Sequence, residues 1–69
     1  DLNSYPTAKG TINVYGGSFD GAIAINVNCT LNIEAGTFAN TGLTLEQFSA
    51  YVAEGSTVTE ADGIYTVTR

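Results

Sequence analysis

The chain says nearly the same thing twice. Residues 11–19 read TINVYGGSF and residues 30–38 read TLNIEAGTF. The offset is constant, 30 − 11 = 19, from Thr11/Thr30 through Phe19/Phe38. Four pairs are identical: Thr11/Thr30, Asn13/Asn32, Gly17/Gly36 and Phe19/Phe38. Ile12/Leu31, Val14/Ile33, Gly16/Ala35 and Ser18/Thr37 are conservative, which leaves Tyr15/Glu34 as the one clear mismatch. A short fixed period marks a stack of similar units, each covering the apolar face of the next. Side chains alternate faces along a strand. Ile12 and Val14 therefore point inward while Thr11, Asn13 and Tyr15 point outward. The second copy places Leu31 and Ile33 inside, with Thr30, Asn32 and Glu34 outside. Stacked in register at ~4.8 Å, aliphatic and Phe side chains form inner columns. Outside, Thr lies over Thr and Asn over Asn, within hydrogen-bonding reach. Gly17 and Gly36 fall at a corner whose backbone calls for glycine.

The expected fold is thus mainly β: a short β-solenoid of parallel β-helix-like coils. The same strands allow an antiparallel β-meander plus one helix. In that arrangement TINVY and AIAINV form a hairpin through GGSFDG, and TLNIEAGTF adds a third strand. The meander gives the echo no role, so the solenoid is preferred. Ile23, Ile25, Val27, Cys29, Leu31 and Ile33 form one unbroken period-two run, long enough that a bend near Asn28 is expected. Upstream of Gly10 the echo fades, with Pro6 where Ile25 stands one period later. Residues 1–9 therefore read as an edge or a truncated preceding coil, and residues 10–40 as two solenoid-like repeats.

After Asn40 the pattern changes. Thr44 suits a helix N-cap, with Gln47 three residues on to complete a capping box, and Leu43 and Phe48 form a hydrophobic staple. Phe48, Tyr51 and Val52 share one face, and Gly55 suits a C′ position. These signals predict a helix over about 45–54. Thr57-Val58-Thr59, an Asp62-Gly63 turn and Ile64 to Thr68 predict a hairpin over about 57–68. Residues 43–69 read as a C-terminal cap, because the last units of a stack must shield its core.

GGSF and AGTF, followed by YVAEG at 51–55 and GIYTV at 63–67, resemble segments of repetitive surface proteins of gut-dwelling Gram-positive bacteria. Those proteins are built from GGTF-type rungs resembling a parallel β-helix, and their repeats often end in a similar helix and Tyr-Thr-Val strand. The resemblance spans residues 10–69. It implies an extracellular or cell-surface bacterial setting and no particular reaction. The chain departs from that pattern at Ser56, where an aromatic is frequent, and at Leu45 to Phe48, where a shorter Asp-rich stretch is usual.

Composition narrows the partners. The net charge is −5, with Lys9 and Arg69 the only basic residues. Nucleic acid is excluded as a partner, because phosphate recognition needs clustered Lys and Arg. No apolar run is long enough for membrane insertion. Cys29 is the single cysteine and there is no His. An internal disulfide is therefore impossible, a zinc site is not expected, and Cys29 reads as a small apolar strand residue. Asn28-Cys29-Thr30 matches a glycosylation sequon.

The carboxylates do not form a catalytic pattern. Glu34 and Asp20 are the nearest approach to a glycosidase pair, yet they fall on opposite sides of the Gly17 corner. A β-helix lyase needs a base, and Lys9 stands alone. GGSFDG is similar to a calcium nonapeptide, but Ala39 replaces Asp20 in the second copy, and successive coils must each supply a ligand. Neither cofactor nor metal is expected, and no catalytic residue is assigned. Tyr15, flanked by Asn13, Asn32 and Glu34 on the outer face, forms a candidate glycan-binding surface.

The expected function is a non-enzymatic structural or adhesive module, the end of a β-solenoid. Its partners are upstream rungs of a longer parent chain, or a second copy. The alternatives are a carbohydrate-binding module using the Tyr15/Asn face, or a fragment of a polysaccharide-active enzyme.

Overall fold

The computed structural model describes residues 10–69 in full and Leu2–Asn3 as backbone. The readings made at Pro6 and Lys9 lie outside the described residues. The chain is mainly β with one short helix: β1 (Leu2–Asn3), β2 (Gly10–Val14), β3 (Ser18–Asp20), β4 (Ile23–Ala24), β5 (Cys29–Ile33), β6 (Gly36–Ala39), α1 (Leu45–Ser49), β7 (Thr57–Ala61) and β8 (Ile64–Thr68). The strands form three sheets, β1–β4, β2–β5 and β3–β6–β8–β7. From β1 to β6 the chain visits these sheets in the same cyclic order twice.

The echo sets the register. β2 pairs with β5 in parallel, Thr11 beside Thr30, Ile12 beside Leu31, Asn13 beside Asn32 and Val14 beside Ile33. β3 pairs with β6 in parallel with Phe19 beside Phe38. Both pairings carry the nineteen-residue offset. β4 pairs with β1 in parallel and β2 does not pair with β4. Antiparallel pairing is found in β6–β8–β7, where β8 lies on the side of β6 away from β3.

Glycine at the corner is a steric necessity. Gly36 adopts φ +136°, and a Cβ there would stand 3.1 Å from the Gly17 carbonyl oxygen and 3.2 Å from the Phe38 ring. Gly17 repeats the conformation at φ +110°. With no side chain at the bend, the following Phe folds back beneath it. Phe19 and Phe38 stack at 4.9 Å between centroids with planes 5° apart. Phe38 then meets Phe48 at 5.3 Å, and Phe48 meets Tyr65 at 4.6 Å. This column joins the two echoed segments to the helix and the hairpin. Around it Val14, Ile23, Leu31, Ile33 and Val67 complete the buried core. Offset or tilted ring pairs each contribute ~0.5–1.5 kcal/mol beyond the area they bury.

The expected helix start is observed. Thr44 Oγ1 accepts from Gln47 N at 3.2 Å, and Gln47 Oε1 accepts from Thr44 N at 2.9 Å. The expected helix end is not. α1 stops at Ser49 instead of reaching 54, because Ile33 competes for the backbone that follows. Ile33 N donates to Tyr51 O and Ala53 N donates to Ile33 O, both at 2.8 Å. These bonds form a parallel bridge between Ile33 and Val52. A lone helical turn is marginal, whereas a bridge to buried Ile33 adds a partner to the second sheet. Gly55 consequently does not cap the helix but turns the chain toward β7 at φ +89°.

A second correction concerns the long apolar run. Val27, expected inside, is 99% exposed. The predicted bend falls at Val27–Asn28, where Cys29 N donates to Asn26 O at 3.1 Å and Asn28 N to Asn26 Oδ1 at 2.7 Å. The turn interrupts strand alternation and leaves Val27 at its tip, while Ile25 and Cys29 on either side are half-buried. The hairpin turn is as the sequence predicts. Asp62 and Gly63 have φ +52° and +79°, the left-handed pair of a two-residue loop.

Candidate functional site

The outer row of β2 and β5 carries the four residues singled out in the sequence. Asn13 and Asn32 form a side-chain ladder, with Asn32 Nδ2 donating to Asn13 Oδ1 at 3.3 Å. The parallel ladder runs one step further through Glu34 N to Val14 O at 2.8 Å, so Tyr15 and Glu34 occupy matched positions at the end of the row. Tyr15 is 68% exposed.

Glu34 does not extend this surface as a free carboxylate. Its Oε1 lies 2.6 Å from Arg69 Nη2. Its carbonyl accepts from Ser56 Oγ at 2.8 Å. One residue thus ties the second echoed segment to both ends of the 56–69 segment. Sequence reading missed Arg69 and Ser56, since neither pairing has a local signal and their partner lies 69 − 34 = 35 and 56 − 34 = 22 residues away. Ser56, the position where the resembled pattern has an aromatic, here serves as the donor to that carbonyl. Because the Arg69 side chain is largely exposed, the ion pair contributes at most ~1 kcal/mol.

Asp20 is also engaged, with Oδ1 accepting from Asn40 Nδ2 at 2.7 Å. Asp20 thus lies in β3 and Glu34 one residue past β5, and each has its own partner.

The chain matches no family model, no curated protein and no solved structure.

Among the described residues, no three His, Cys, Asp or Glu side chains gather into a possible metal site. No described helix is long and apolar enough to cross a membrane. The site therefore offers an exposed phenol beside an amide ladder, with a neutralised carboxylate next to it. Such a surface can hydrogen-bond and stack.

Proposed function

We propose that this protein is a non-enzymatic structural or adhesive module, the C-terminal end of a β-solenoid on the surface of, or secreted by, a bacterium. The observation that carries the reading is the double cyclic passage through three sheets, with both echoed segments paired in parallel at a nineteen-residue offset. Residues 43–69 act as the cap. β8 covers β6 in the opposite direction, Val52 bridges Ile33, and Phe48 and Tyr65 close the aromatic column. On the far side, among the described residues, β3 ends its sheet and β2 ends its pair. Open strand edges invite pairing with another strand, and here the natural partner is an upstream rung or a second copy of the chain.

Light scattering across micromolar to millimolar concentrations tests this reading. The chain should self-associate, and Asn13→Lys should suppress association by placing a charge on the edge strand. A folded chain that stays monomeric throughout refutes the open-edge reading.

The exposure of Tyr15 beside the Asn ladder supports a second reading, a carbohydrate-binding module. Its test is a glycan array with Tyr15→Ala as the control. A signal that survives that substitution removes it.

A further inference from the structure

We propose that the outer face of the four-stranded sheet β3–β6–β8–β7 is a docking surface for a neutral polysaccharide chain lying across the strands. The inference rests on the adhesive reading above and assigns it a surface and a ligand class, on a different face from Tyr15.

The registers place a hydroxyl at the same level on every strand. Ser18 stands beside Thr37, Thr37 beside Thr66, and Thr66 beside Thr59. The row is bonded within itself where Ser18 Oγ and Thr37 Oγ1 lie 2.9 Å apart. One level along, Thr57 and Thr68 are paired with their hydroxyl oxygens 3.3 Å apart. On the other side of the row Ala39, Ile64 and Ala61 stand in line across three strands, with Ile64 44% exposed. The alternate residues Phe38, Tyr65 and Val67 face the core, so the hydroxyl and aliphatic rows face solvent together.

The echo explains Ser18 and Thr37 but not the other two hydroxyls. Thr59 and Thr66 belong to a hairpin with no counterpart in the repeat, and β8 runs opposite to β6. The row nevertheless continues without a break across the change of direction. Its span is three strand spacings, roughly 14 Å, the length of a few sugar units.

The chemistry matches a neutral glycan. Each Thr or Ser hydroxyl both donates and accepts, as a sugar hydroxyl does, and the Thr methyls with the Ala and Ile row meet the C–H face of a pyranose ring. Charge sets the class. Asp20 ends the aliphatic row next to Ala39, no Lys lies in any of the four strands, and the chain carries a net charge of −5. A polyanionic glycan is repelled by this field.

The test is native affinity electrophoresis of the 69-residue chain through gels containing a mixed-linkage β-glucan, a galactomannan or an arabinoxylan, with polygalacturonate alongside. At least one neutral polymer should retard the chain. Thr66→Lys should weaken that retardation at least tenfold in apparent affinity, and Thr59→Lys on the exposed edge strand should act in the same direction. Val27→Ser, at the remote turn tip, serves as the control, and a thermal melt shows that each variant is folded. If Thr66→Lys does not fold, Thr59→Lys decides. The proposal is overturned if no neutral polymer retards the chain, or if polygalacturonate does so equally. It also falls if Tyr15→Ala abolishes retardation while the Thr variants leave it intact. Light scattering reads self-association separately, so failure here leaves the solenoid-end reading standing.

Discussion

Replacing Gly36 with Ala tests the corner on which the two echoed segments turn. The residue sits at φ +136°, a conformation that costs an L side chain ~1–3 kcal/mol. The added Cβ would meet the Gly17 carbonyl oxygen at 3.1 Å and the Phe38 ring at 3.2 Å. Neither neighbour yields easily. The carbonyl accepts from Thr37 N at 2.9 Å, and the ring is held between Phe19 and Phe48. Overpacking of this kind adds ~1–3 kcal/mol, so the total loss is about 2–6 kcal/mol when both effects operate. A chain of this length holds roughly 3–10 kcal/mol of stability in all. Each kcal/mol lowers the Tm of so small a domain by about 4–8 °C, which places the fall on the order of 10–50 °C. Gly16→Ala is the matched control, because Gly16 has nothing within 4 Å of a built Cβ and no positive φ. It should be neutral or stabilising by up to ~1 kcal/mol. Urea unfolding followed by far-ultraviolet circular dichroism measures both variants. If they differ by less than about 1 kcal/mol, against about 2–6 expected, the corner is not sterically committed.

Tyr65→Phe removes the hydroxyl that donates to Leu43 O at 2.6 Å and keeps the ring against Phe48. It should cost ~1 kcal/mol, read as a lower urea midpoint at unchanged slope. Thr44→Ala removes one half of the capping box and should lower stability by ~0.5–2 kcal/mol; a variant equal to the parent shows that α1 is held by Phe48 alone. Val27→Ser should shift stability by no more than ~0.5 kcal/mol, despite the apolar phase of Val27 in the sequence, and a larger loss in a thermal melt shows that Val27 is covered.

The sequence was most legible where one segment specified its neighbour directly. The echo gave the β2–β5 and β3–β6 registers residue by residue, because matched side chains at a constant offset stack only one way. Local chemistry was equally readable. The Thr44–Gln47 box and the Asp62–Gly63 turn depend on residues a few positions apart. What stayed hidden depended on distant competition. The helix pattern through Val52 was sound as a local preference, and it lost to backbone bonds with Ile33. Val27 kept its place in the alternation on paper, but the Asn26 side chain and carbonyl hold a turn that takes it out of the strand. At the candidate site, the outward direction of Asn13, Asn32 and Tyr15 followed from alternation. The Arg69 contact that neutralises Glu34 did not, since an ion pair between distant residues leaves no periodic trace.

β6 receives β3 in parallel on one side and β8 antiparallel on the other. Parallel ladders present evenly spaced, slanted bonds, whereas antiparallel ladders present alternating close and wide pairs perpendicular to the strands. β7 in turn runs opposite to β8, so two reversals return it to the direction of β3 and β6. β8 is the one reversed strand of the four, and it lies inside the sheet. Both edge strands of that sheet, β3 and β7, therefore point the same way.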